Sequence, residues 1–169
     1  MNLDALLFNI GQLPEAELRS TAWRVYEETY LNVMGKPIGI HVTHDGQQAI
    51  FHATTFNTAF FKPADRNHPR VKDALDHTRV ERIKWIAPII AGHVPRTRCF
   101  EVLMPGFPHA KRLYVQPDQS YMIWLEPRID KARGEWRFAT AYLASPKQIQ
   151  SKTSMGKLIF EAAHVSSAS

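Results

Sequence analysis

Downstream of Gly92 the chain divides into four short strand-like runs, Arg98 to Leu103, Lys111 to Gln116, Ser120 to Leu125 and Trp136 to Leu143, and these constrain the fold more than any other feature. Pro117-Asp118-Gln119 supplies a tight connection and Ile129 to Gly134 a longer one, so the four runs are expected to form an antiparallel meander. Side chains alternate along a strand, which assigns Trp136, Phe138, Thr140 and Tyr142 to one face and Arg137, Ala139, Ala141 and Leu143 to the other. The small residues of the second face suit helix packing and leave Thr140 and Tyr142 on the open face.

Upstream, Pro14 followed by Leu18, Ala22, Val25, Tyr26 and Leu31 marks an amphipathic helix over about residues 14 to 34, which Gly35 ends. Ile38 to His44, the turn pair Asp45-Gly46 and Gln47 to Thr55 carry a strong hairpin signal. A loop from Lys62 to Arg70 follows, with Pro63 and Pro69. From Val71 to about Gly92 the pattern is helical, yet one unbroken helix would place Arg79 and Arg82 on the stripe of Val71, Leu75 and Ile86. Two pieces resolve the conflict. Thr78-Arg79-Val80-Glu81 fits a capping box, so a second helix is expected to start at Thr78 and bury Val80, Ile83, Ile86, Ala87 and Ile90, with His77 at the joint. Pro88 cannot donate its backbone hydrogen bond and should kink or end that helix.

The predicted class is α+β: an N-terminal helix and hairpin, then helices packed on a four-stranded antiparallel sheet. The chain of 169 residues fits one domain over residues 1–145, with its core at 66–145. A basic, partly disordered tail over 146–169 is expected to carry one helical stretch, Lys157 to His164. The formal charge of +5 favours polyanionic partners. A single cysteine, Cys99, excludes an internal disulfide and a Cys-based zinc cage, and its strand-like setting fits a buried structural residue. No apolar stretch approaches the roughly 20 residues that span a membrane, and the N-terminus lacks the basic-then-apolar order of a signal peptide, so a cytoplasmic protein with no membrane partner is expected.

The segment Arg79-x-x-Arg82-Ile83-x-Trp85-Ile86, followed by Tyr121-Met122-Ile123-Trp124-Leu125 and a closing Arg137-Phe138-Ala139-Thr140-Ala141-Tyr142, resembles the barnase, EndoU, colicin and RelE superfamily of nucleases, and is most similar to its phage-associated branch. The resemblance covers roughly residues 66 to 145 through several short motifs. It implies an α+β fold with helices on a four-stranded antiparallel sheet and a metal-independent endoribonuclease, often a toxin. It also implies RNA as substrate, an inhibitor or immunity protein as a possible partner, and no cofactor. Pro88 interrupts the matched helix, and the His-rich hairpin at residues 38 to 55 lies outside the match.

Cleaving RNA without a metal needs a base for the ribose 2′-hydroxyl, an acid for the leaving 5′-oxygen and cations for the charge on the pentacoordinate phosphate. Histidine can serve either proton role near neutral pH, and His77 is the first choice. Arg79, Arg82 and Lys84 are the candidate phosphate clamps, Thr140 and Tyr142 the candidate phosphate hydrogen-bonders, and Arg112, Tyr121 and Trp124 the candidate substrate-binding residues. The blander alternatives are a capping or surface role for His77, ion pairs of Arg79 and Arg82 with Asp76 or Glu81, and simple strand propensity at Thr140 and Tyr142. His41 and His44 point to opposite faces of a strand, so no metal site is expected. A second site is also visible: Ile50-Phe51-His52-Ala53-Thr54 resembles the His-x-Thr strand with which ADP-ribosyltransferases begin their NAD site, with His52 and Thr54 as its residues and Glu126, Glu135 or Glu161 as the carboxylate. A catalytically inert RNA-binding module on the same scaffold is the third reading.

Overall fold

The computed structural model of the chain describes residues 1–11, 13–65, 67–128 and 134–163. Helix α1 spans Glu15–Tyr30, with Glu15 and Glu17 in its first turn, where carboxylates complement the helix dipole. It buries Leu18, Ala22, Tyr26 and Tyr30, four residues apart and therefore on one face. Tyr30 stacks on Phe51 at 4.4 Å between ring centroids and Phe51 on Phe138 at 4.9 Å, so an aromatic column ties α1 to two strands of the sheet.

Strands β1 (Ile38–Val42) and β2 (Gln48–His52) form the antiparallel hairpin around Asp45-Gly46. Gly39 is the one residue type β1 can use there, because a Cβ at that position would lie 1.4 Å from the Tyr30 carbonyl oxygen. The chain then runs through a short turn at Ala53–Thr55, helix α2 (Phe56–Ala59), and the two-residue strands β3 (Phe61–Lys62) and β4 (Ala74–Leu75), which pair with each other. Helix α3 (His77–Val80), a tight turn at Ile83–Trp85 and helix α4 (Ile86–Ile90) replace the expected single start at Thr78. The cap is Asp76, whose carboxylate accepts both the Arg79 backbone N–H and the Thr78 hydroxyl, so Thr78 serves the cap instead of being it. The helical path breaks at Arg82 (φ −105°, ψ 14°), and Pro88 sits in the first turn of α4, where its missing N–H costs little.

Strands β5 (Arg98–Val102), β6 (Lys111–Gln116), β7 (Tyr121–Pro127) and β8 (Glu135–Leu143) form the antiparallel meander. The expected four-stranded antiparallel sheet is nevertheless overturned: the main sheet has seven strands in the order β1-β2-β8-β7-β6-β5-β9 and is mixed. Two additions make it so. β2 joins β8 in parallel along Gln48–Ile50, fastened by the Trp136 indole N–H donating to Gln47. On the far edge, β9 (Gly156–Glu161) pairs antiparallel with β5, after helix α5 (Pro146–Thr153). The helical stretch expected at Lys157 to His164 is therefore strand through Glu161, because the β5 edge offers its backbone a partner; His164 and the residues after it lie outside the described residues, as do 129–133 of the β7–β8 connection.

One core contains α1, α4 and the inner sheet face, with Phe51, Phe138 and Ala141 at its centre. A smaller one on the opposite face gathers Phe100, Val102, Leu113, Met122 and Trp124 under Ile149 of α5. The alternation expected along β8 fails at one place. A bulge opposite Trp124/Leu125 pairs Trp124 with Thr140 and Leu125 with Phe138, leaving Ala139 as the extra residue. Phe138 thereby faces the same core as Ala141, while Thr140 and Tyr142 stay opposite Trp124 and Met122.

Candidate functional site

The parallel pairing of β2 with β8 lasts three residues. β2 then turns away at Ala53 while β8 runs on to Leu143, and α2 and α3 pack against the strand it has left. Between the diverging walls lies a polar cleft of about 490 Å3, lined by His52, Thr54 and Thr58 on one side and by Glu126, Arg137 and Ala139 on the other.

His52 ends β2, and its carbonyl accepts a hydrogen bond from the Tyr26 hydroxyl at 2.9 Å, which anchors the backbone at the cleft wall. Burial, and then the charges of Arg128 and Arg137, hold the imidazole below its ordinary pKa of 6.5, so at neutral pH it is an uncharged base. Glu126 accepts from Arg137 at 2.6 Å and from Lys111 at 3.0 Å. Burial raises its carboxyl pKa, but the hydrogen bonds from Arg137 and Lys111 more than offset this and keep it below the usual range, so the carboxylate stays ionised.

Three residues further along β8, Arg79 of α3 reaches across. Its guanidinium donates to the Ala59 carbonyl at 2.9 Å and to the Thr140 hydroxyl at 3.4 Å, lies 5.2 Å from the Tyr142 ring centroid and pairs with Asp76 at 3.3 Å. Ala59 follows Thr58 and Thr140 follows Ala139, so Arg79 ties the two cleft walls together. Lys72 adds a second cation here by donating to the Thr58 carbonyl at 3.0 Å, and burial followed by the charge of Arg79 lowers its pKa. Trp124 donates its indole N–H to the Tyr142 hydroxyl at 3.2 Å, which fixes that ring under Arg79.

The sequence-derived residues thus divide. Arg79, Thr140, Tyr142 and Trp124 come together, and His52 and Thr54 line the adjoining cleft. His77 is exposed, with Nε2 at 3.0 Å from a Glu15 carboxylate oxygen of α1. Arg82 donates to the Thr78 carbonyl and Glu81 and covers the Trp85 ring, so its contacts stay within its own segment; Lys84 is exposed. Arg112 is buried, bonded twice to Asp45 and set over Trp136 at 4.4 Å, so it braces the β1–β2 turn and is closed to substrate. Tyr121 is wholly buried, edge-on to Trp85, and no base can stack on it. Arg137 and Lys72 were not singled out by sequence. The signal for Arg137 was present in the opposite charges of Lys111, Glu126 and Arg137, which cross-strand pairing brings together.

Among the described residues no three His, Cys, Asp or Glu side chains converge as a metal site would require, and no helix is long and apolar enough to cross a membrane. Cys99 is buried, and burial pushes its thiol up to about 12, which makes it a poor nucleophile. Comparison with family models, with curated proteins and with solved structures finds no match to the chain.

Proposed function

We propose that the protein cleaves single-stranded RNA without a metal, by attack of a ribose 2′-hydroxyl on the adjacent phosphate, in the cleft between His52–Ala59 and β8. The observation that carries this reading is the convergence of an uncharged imidazole, an ionised carboxylate and the Arg137 guanidinium on one polar cleft, with Arg79 bonded to Ala59 and Thr140 beside its walls. The unprotonated His52 ring accepts the 2′-hydroxyl proton. Arg137 and Arg79 stabilise the charge that grows on the phosphate oxygens, with Arg79 held in place by Ala59 and Thr140. Glu126 orients Arg137, and the open cleft lets water protonate the departing 5′-oxygen. His52 is preferred to His77 because it lines the cleft, whereas the His77 ring is engaged by Glu15.

A second reading rests on a separate observation: Glu126 shares the cleft with His52 and Thr54, as an NAD-dependent ADP-ribosyl transfer would require of its carboxylate and histidine. One experiment separates the two. Total RNA is incubated with purified protein in EDTA, its new ends are analysed, and a parallel sample receives labelled NAD. Fragments ending in 2′,3′-cyclic phosphate are expected, together with a loss of kcat on the order of 10² or more in His52→Ala at nearly unchanged Tm. Intact RNA with NAD-dependent labelling would transfer the cleft to the second reading, and RNA bound but never cut would leave a binding module.

A further inference from the structure

A second cavity, of about 510 Å3, adjoins the polar cleft, and Thr54 lines both. Its chemistry differs from the cleft's. Its lining is mostly apolar, with Trp23 of α1 and Phe56 of α2 packed edge to face at 5.3 Å between ring centroids. Around the aromatic pair stand groups able to hydrogen-bond a planar heterocycle, the Ser20 hydroxyl and the Asn57 amide, and Arg19, whose guanidinium lies 4.9 Å from the Phe61 ring centroid. Ser20 spends its proton on the Glu17 carbonyl, which leaves its oxygen as an acceptor, while Asn57 is exposed at the rim.

A phosphate-binding cleft continuous with an aromatic pocket edged by amide and hydroxyl groups is what one nucleotide unit of a single strand demands. A folded peptide side chain or an acyl chain would leave those polar groups unpaired on one side and the cationic cleft unused on the other. Resting on the ribonuclease reading, we propose that the Trp23–Phe56 cavity is the nucleobase subsite that sets which base lies beside the scissile phosphate, with Trp23 as stacking platform and Asn57 reading the base edge.

The test uses the full-length protein and four single-stranded homopolymeric 2′-deoxy tetranucleotides, which lack the attacking hydroxyl and cannot be cut. Affinities are measured by calorimetry. The wild type is expected to rank the four bases, Trp23→Leu to lose about tenfold or more in affinity together with the ranking, and Asn57→Ala to change the ranking at similar mean affinity. Arg137→Ala is expected to weaken all four alike and leave the ranking in place. If Trp23→Leu, shown to be folded by circular dichroism, and Asn57→Ala both bind as the wild type does while Arg137→Ala does not, the subsite is wrong and the cationic cleft survives. If the wild type binds no tetranucleotide, or binds NAD through Trp23 and no tetranucleotide, the subsite falls, and the ends of the RNA incubated in EDTA decide the ribonuclease reading separately. Should Trp23→Leu not fold, exposed Asn57 decides the matter, because an unchanged ranking in Asn57→Ala overturns the assignment.

Discussion

Asp45 shows how one side chain can hold a turn and a buried charge at once. Its carboxylate accepts two hydrogen bonds from Arg112, at 3.0 and 2.6 Å, and one from Thr43 at 2.6 Å. The Arg112 side chain is only 5 % exposed, so without Asp45 its guanidinium would be an uncompensated charge in the interior. Asp45→Asn is therefore expected to destabilise the protein by about 3 kcal/mol, read from urea unfolding. Replacing both partners, Asp45→Asn with Arg112→Met, should recover much of that loss, since a buried ion pair replaced by apolar volume is often neutral. A double variant as unstable as the single one would show that Arg112 matters through its packing over Trp136.

At the scale of elements, α5 illustrates a signal that the sequence carried in plain sight. Ser145 and Gln148 form a full capping box, each side chain accepting from the other's backbone N–H, and Pro146 follows the cap at the first helical position. Ser145→Ala should cost about 1 kcal/mol, measured by thermal unfolding, and an unchanged Tm would mean that α5 is held by Ile149 alone. The meander was legible because its turns and alternation are local. The seven-stranded sheet was not, because the pairings of β2 with β8 and of β5 with β9 join segments whose own composition says nothing of their neighbours. The bulge at Ala139 was equally hidden, since it is defined only against β7. The site was legible in pieces for the same reason: Arg79, Thr140 and Tyr142 stood out, but together with His77, Arg82 and Lys84, which the structure leaves outside the cleft, and His52 with Thr54 stood apart, while the cleft exists only once the strands diverge.

At the scale of the whole molecule, three histidines among the described residues bear on the response to acid. Burial lowers the pKa of His41, His44 and His52 below the ordinary 6.5; at His44 the charge of Asp45 partly opposes this and that of Arg112 reinforces it. The unfolded chain therefore takes up protons first as pH falls through about 6.5, and stability declines below that point, whereas above it the three rings are neutral in both states and contribute nothing. Asp45 and Glu126, both held below the usual carboxylate range, act in a lower window, where their contribution is lost as pH falls past the unfolded values near 4. Thermal melts at pH 8, 7, 6 and 5 should be flat between the first two and fall after that; a Tm constant down to pH 5 would contradict the burial of these rings. The parallel junction of β2 with β8 has a further consequence, for the order of synthesis. At translation rates of roughly 5–20 residues per second, the β1–β2 hairpin leaves the ribosome on the order of ten seconds before β8 is complete. For that interval Ile50 and Phe51 sit on a strand with one unpaired edge, the kind of surface that recruits chaperones or other chains, and the nascent protein owns only one wall of its cleft. Any activity seated there is withheld from the cell that makes it until β8 has emerged to close the second wall.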